Sequence, residues 1–342
     1  MMSLLDAADR EVKRRVIAGA TLILTLAFTI PLIARATGGA SPVRTPLAAL
    51  APLAALVALA ATALAVGVTW WLAVIIAIPA AFLVGWQLPP RRRRRPRREP
   101  ASATRPADAE GVELRFLTLN AFVGRASPAA VVSRLRELAP DIFAVQELTP
   151  ELAAGLAAEG LTELLPFSCL DPRRGSAGIG LWSRWPLAQI PVVPERQGAE
   201  LRAKLDAGWP VTITAVHLAA PMGGRQPAWQ RDMDRLLREL TEVEGQHLVA
   251  GDFNASRDHS AFRRLLAARF ADSADAAEHR PWPGFTWPAN RRYPPVMRLD
   301  HILVSQPGAV VREARTAGIA GSDHRALLAV IELRRPPAGE QP

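Results

Sequence analysis

Between residues 47 and 88 no charged side chain interrupts the chain. A soluble helix needs a polar face, whereas a bilayer-spanning helix needs about 20 consecutive apolar residues and excludes charge. The run divides at Gly67, Val68 and Thr69 into 47–66 and 70–88, which reads as a tight helical hairpin. Another apolar stretch, 16–34, follows Arg10, Lys13, Arg14 and Arg15. Residues 1–88 are therefore expected to form a membrane region with three transmembrane helices. Pro31, Pro52 and Pro79 are tolerated in such helices, and Trp70, Trp71 and Trp86 suit the interfacial level. A signal peptide fits poorly, because its apolar core is only about 7 to 15 residues long. A buried soluble bundle is the competing reading.

Beyond this region the composition changes. Arg91 to Arg95 with Arg97 and Arg98 supply seven of the net +9 charges, so the basic balance comes from one short run. Beside an apolar segment such a run reads as a membrane-surface or topology signal rather than a nucleic-acid patch. Residues 89–110 read as an Arg/Pro-rich linker, 111–335 as the folded domain and 336–342 as a disordered tail. The sole cysteine, Cys169, excludes an intrachain disulfide and a multi-cysteine zinc site.

In the folded part, strands are expected at 112–119, 141–146, 178–183, 210–218, 247–251, 299–304 and 326–333. Ser127-Pro128 and Thr149-Pro150 read as helix starts, and 229–241 as a further helix. Strands outnumber helices, which suggests two packed sheets flanked by helices.

Six of these strands end at, or are bordered by, a residue able to bind metal or phosphate. They are Asn120, Glu147, His217, Asp252 with Asn254, Asp300, and Asp323 with His324. Singly, each is ordinary turn chemistry; together, on strands of one sandwich, their ends can converge at one rim. Glu147 offers the oxygen ligand that a hard divalent cation prefers. Asp252 and Asn254, two apart on an extended segment, share a face, so Asp252 is suited to take a proton from water while Asn254 holds water or phosphate. Asp300 is expected to orient His324, since Asp323 and His324 are adjacent and point oppositely. His217 is positioned to donate to a phosphate oxygen. His301 should face away from Asp300 and reads as structural.

The motif order Thr118-Leu119-Asn120, Gln146-Glu147, Ser176-Ala177-Gly178, Val216-His217-Leu218, Gly251-Asp252-Phe253-Asn254, Arg298-Leu299-Asp300-His301-Ile302 and Ser322-Asp323-His324 resembles the endonuclease/exonuclease/phosphatase superfamily, with its DNase I-like fold. That resemblance implies an α+β, four-layer αββα sandwich with the site at one end of two sheets. It also implies Mg2+ or Mn2+ held by Glu147 with Asn120 and Asp323 nearby, and catalysis by His217, Asp252, Asn254, Asp300 and His324. Substrate contacts would come from Asn254, His217 and Ser176. Some nucleases of the superfamily carry an acid two residues after the first Asn; this chain has Phe122, which argues against two tightly held metals. In-line attack of water on phosphorus follows, with either Asp252 or the Asp300–His324 pair as general base.

A membrane half joined to such a domain resembles actinobacterial membrane proteins linked to glycopeptide resistance. That favours a lipid-linked or envelope phosphate ester, with the bilayer as partner and no obligate protein partner. A membrane-tethered nuclease, using Arg173, Arg174, Arg291 and Arg292 against nucleic acid, is the alternative. A non-catalytic module that binds anionic lipid through the arginine run is the third. The positive-inside rule places the catalytic domain in the cytoplasm, whereas the resemblance implies the outer side, and the reading leans outward.

Overall fold

The computed structural model describes residues 2–38, 41–66, 70–87, 111–192, 198–279 and 284–335. The linker 89–110 and the tail 336–342 lie outside the described residues, as do Gly67, Val68 and Thr69 and the side chain of Trp86. The chain divides into two compact units, a helical N-terminal one and a larger sandwich.

The helical unit holds α1 (Met2–Thr37), α2 (Arg44–Ala48), α3 (Ala51–Val66) and α4 (Trp70–Gln87). Its interior is made of small residues: Ala51, Ala54, Ala55, Ala58, Ala61 and Ala65 of α3 recur every three or four positions and pack against Phe28, Ile76 and Leu83. Beyond the charged, exposed start of α1 its exterior is apolar, with Leu22, Ile23, Leu26, Leu56, Leu59, Trp70, Ile75, Ile78 and Phe82 all more than half exposed.

Three spanning helices were expected; among the described residues one helix is long and apolar enough to cross a membrane, Asp9–Thr37 within α1. The other two apolar helices, Ala51–Val66 and Trp70–Gly85, are shorter. Sixteen helical residues rise about 24 Å against a hydrocarbon thickness of about 30 Å. The run from 47 is cut because α2 ends at Ala48 and the chain turns before α3, where Pro52 occupies the first turn that can spare its N–H.

The sandwich runs β1 (Gly111–Asn120), α5 (Pro128–Leu138), β2 (Ile142–Gln146), α6 (Pro150–Ala158), α7 (Leu161–Leu164), β3 (Phe167–Asp171), β4 (Ile179–Ser183), β5 (Leu187–Ile190), β6 (Ala199–Asp206) and β7 (Pro210–His217). It continues with α8 (Gln226–Glu242), β8 (Gln246–Asp252), α9 (Ser260–Ala268), β9 (Phe270–Asp272), α10 (Ser273–Ala276), β10 (Asp300–Ser305), β11 (Ala309–Gly318) and β12 (Arg325–Arg334). One mixed sheet has the order β11-β12-β1-β2-β4-β3 and the other β5-β6-β7-β8-β10-β9.

Local chemistry sets the helix starts. The Ser127 and Thr149 side chains accept from the backbone N–H groups of Ala130 and Leu152, and Pro follows each cap. On α8, Trp229, Met233, Leu236 and Leu240 form one buried face. Between the sheets Leu114, Phe116, Ile142 and Leu181 meet Leu205, Ile213, Leu248 and Ile302. Each such side chain contributes about 1.5 to 3 kcal/mol by leaving water. Helices α5 and α6 cover the outer face of the first sheet, and α8 and α9 that of the second. The result is a layered α+β sandwich.

Two registers build the site. β1 and β2 are parallel with Asn120 opposite Gln146, and β7 and β8 are parallel with His217 opposite Asp252. β10 enters antiparallel with Asp300 opposite Asp252, and β12 pairs antiparallel with β1, so His324 stands just before its start. Strand ends from both sheets thereby meet at one rim.

Candidate active site

Asn120 is buried at the end of β1 and its side chain spaces two acids. Its Nδ2 donates to Glu147 Oε1 (3.1 Å) and Asp252 Oδ2 (2.9 Å), while its Oδ1 accepts from the backbone N–H of Phe122 (2.9 Å). Glu147 follows β2 in the left-handed region (φ 58°), and its Oε2 accepts from Val123 N (2.5 Å). Asp252 Oδ1 accepts from Asn254 N (2.8 Å), and Asn254 Nδ2 donates to the Leu218 carbonyl (2.7 Å). Burial pushes the Asp252 carboxyl up and Asp300 adds to the push, against the opposing pull of His324 and His217.

The two histidines are aimed by their Nδ1 atoms. His217 Nδ1–H donates to the Ser176 carbonyl (2.9 Å), which turns Nε2 towards Glu147 Oε1 (3.6 Å) and Asp252 Oδ2 (3.8 Å). His324 Nδ1–H donates to Asp300 Oδ2 (2.7 Å), and its Nε2 lies 3.9 Å from Asp252 Oδ2 and 4.0 Å from Asp323 Oδ1. Burial opposes charge on His324, but Asp300, Asp252 and Asp323 outweigh it and the imidazole is pushed up to about 10. Trp287 Nε1 donates to Asp323 Oδ2 (3.3 Å), and Ser322 Oγ donates to the Asn120 carbonyl (2.7 Å) while accepting from His324 N (2.9 Å).

With this constellation in view, the sequence matches the endonuclease/exonuclease/phosphatase family over residues 117–324. The chain belongs to this family. It is a hydrolase acting on phosphate ester bonds, and the family depends on divalent metal. Similar solved structures include a humanized TDP2 from D. rerio (18% identity, TM-score 0.53, covering 64% of this chain and 98% of that one). Another is D. rerio TDP2 complexed with a single-strand DNA product (18%, TM-score 0.52, 64% and 98%). A third is a functionally unknown conserved protein from Enterococcus faecalis (20%, TM-score 0.51, 64% and 99%). At these identities the likeness is one of fold. No curated protein matches the chain.

The donor set suits the family's metal. Glu147, Asp252, Asp300 and Asp323 put four carboxylates beside two imidazoles, and among the described residues no lysine or arginine pairs with any of the four. Asp300 Oδ1 and Asp323 Oδ1 are buried without a hydrogen-bond partner. An oxygen-rich, net-negative cluster with spare lone pairs fits a hard divalent cation. Asp252, Asp300 and His324 bring potential ligand atoms within 4.8 Å of one another. Within that trio, however, the His324 Nδ1 proton already occupies Asp300 Oδ2, so this grouping reads as a bonded pair facing Asp252 rather than a cage.

Two features had no signature in the residue pattern. Backbone strain is concentrated here: Phe122, Val123, Glu147 and Asn254 all have φ between 45° and 58°. Ser176 also meets His217 through its carbonyl, a group every residue carries.

Proposed function

We propose that this family member works at a membrane on a phosphate ester carried by a lipid or the cell envelope, by in-line attack of water. The observation that carries the membrane reading is the helical unit, whose interior is mostly alanine and whose apolar exterior is Leu, Ile, Trp and Phe. Small residues inside and large apolar ones outside suit lipid as solvent, since helices in lipid associate by close packing. Such a surface would be an aggregation liability in water.

Glu147 and Asp323 would hold Mg2+ or Mn2+, with Asn120 beside them setting the distance between Glu147 and Asp252. The bound ion would neutralise charge on the phosphate oxygens. Asp252, fixed through both oxygens by Asn254 N–H and the Asn120 amide, orients the attacking water and takes its proton. His324 serves as a donor rather than the base, because its ring is surrounded by Asp300, Asp252 and Asp323. Its Nε2–H meets a non-bridging oxygen from one side, and His217, braced on Ser176, flanks the phosphate from the other. Asn254 and the Ser176 loop complete the phosphate contacts.

The test uses the full chain in detergent or nanodiscs with Mg2+, offered vesicles containing a prenyl monophosphate, plasmid DNA and single-stranded DNA in parallel. Phosphate release from the vesicles supports the reading. Degradation of DNA with no release from lipid overturns it in favour of a tethered nuclease. A reporter fused after Pro342 tests the outward placement of the domain.

A further inference from the structure

A second His–Asp pair lies beside the site and takes no part in the mechanism above. His301 is wholly buried, and both of its ring nitrogens face acceptors: Asp272 Oδ2 at 2.8 Å from Nδ1 and the Ala255 carbonyl at 2.9 Å from Nε2. Each ring nitrogen is thus within hydrogen-bond distance of an acceptor. Its ring lies 4.2 Å from that of Phe262 and edge-on to Phe253 at 5.7 Å. Asp272 also accepts from Ala274 N (3.1 Å) and lies 4.0 Å from Arg298. Although burial opposes its charge, Arg298 and His301 hold the Asp272 carboxyl down at about 2.

The contacts of His301 bracket one residue. Phe253 and Ala255 are the chain neighbours of Asn254, which sits at φ 45° and whose backbone N–H holds Asp252 Oδ1. A strained, non-glycine conformation persists only where its surroundings over-determine it. His301 supplies that restraint from the residue next to Asp300. The geometry points to His301 as a positioning residue for the reaction: through the Ala255 carbonyl and the Phe253 ring it holds the Asp252–Asn254 turn in register with Asp300, with Asp272 and Arg298 bracing it from behind.

The inference rests on Asn254 serving the reaction, which the single variant Asn254→Ala tests by itself. Hydrolysis of bis(4-nitrophenyl) phosphate by the full chain with Mg2+ is measured for wild type, His301→Phe, Asn254→Ala and the double variant, well below each melting temperature and with folding checked by circular dichroism. His301→Phe is expected to lower kcat by about 10- to 100-fold, the usual effect of removing a residue that orients a reacting group, with KM changed by less than about twofold. His301→Gln, which keeps one N–H donor, is expected to recover part of the loss and serves if the Phe variant fails to fold. In the Asn254→Ala background the His301 change should cost little more, because the turn it holds has already lost its working side chain. Full additivity in the double variant, or wild-type kcat in folded His301→Phe and His301→Gln, overturns the positioning role. Wild-type activity in Asn254→Ala overturns both that role and the catalytic reading of Asn254.

Discussion

Two histidine–carboxylate pairs flank the start of β10, and they differ in what their remaining polar atoms meet. His324–Asp300 and His301–Asp272 have nearly equal separations, 2.7 and 2.8 Å, and in both the acid is buried. Asp300 and His301 are neighbours on one strand, so their side chains leave by opposite faces and each joins a different pair. The second nitrogen separates them. His301 Nε2–H is satisfied by a backbone carbonyl, whereas His324 Nε2 has, among the described residues, only carboxylates at 3.9 and 4.0 Å. A pair whose ring nitrogens both meet acceptors holds structure; the same pair with one ring nitrogen left facing carboxylates is equipped for chemistry.

The sharpest way to break this contrast is to disable each pair in turn. His324→Ala should lower kcat by about 10²- to 10³-fold, as removal of one preorganised donor does elsewhere; a variant with near-normal turnover would remove the distinction. Asp272→Asn should instead destabilise the fold by about 3 kcal/mol in urea unfolding, the cost of breaking a buried pair. Glu147→Gln should abolish most of the thermal stabilisation that Mg2+ gives the wild type, which at a hundred times the dissociation constant is about 2.7 kcal/mol.

The pairs should also fail at opposite ends of the pH scale in the metal-free chain. Asp272 is held at about 2 against an unfolded value of about 3.9, so its stabilisation is complete above about pH 4 and is lost as pH falls towards 2. His324 is raised to about 10 from about 6.5, so its contribution is complete below about pH 6.5 and is lost as pH rises through 10. Asp272→Asn should flatten the acid limb of a stability profile and His324→Gln the alkaline limb; a variant that flattens the other's limb would show the pairs to be coupled. Smallest of all, Ser322→Ala should cost about 1 kcal/mol, since its hydroxyl ties the Asn120 carbonyl to the His324 N–H.

The polar residues that meet at the rim were readable in the sequence because each stands at the end of an apolar strand, and a strand's end is marked by composition. β6 was not: Ala, Glu, Leu, Arg, Ala and Lys are strong helix formers, and only pairing with β7 makes them a strand. The edge strands β3, β5 and β9 are too short or too exposed to alternate clearly. Apolar length was over-read in the N-terminal part, since composition shows where a run is greasy and not where the backbone turns. The partners of His301 lie 46 and 29 residues away and include a main-chain carbonyl, so no local pattern points to them.

Gly251 precedes Asp252 at φ 146°, and a Cβ there would fall 1.9 Å from the Val216 carbonyl oxygen; at Gly178 one would fall equally close to the Leu148 carbonyl. Main chain therefore presses on main chain directly behind the reacting groups, leaving no room for even one methyl. Laboratory evolution of this enzyme would then divide cleanly. Exposed positions elsewhere can take broad libraries, while substitution at these two glycines would yield inactive clones whatever the substrate.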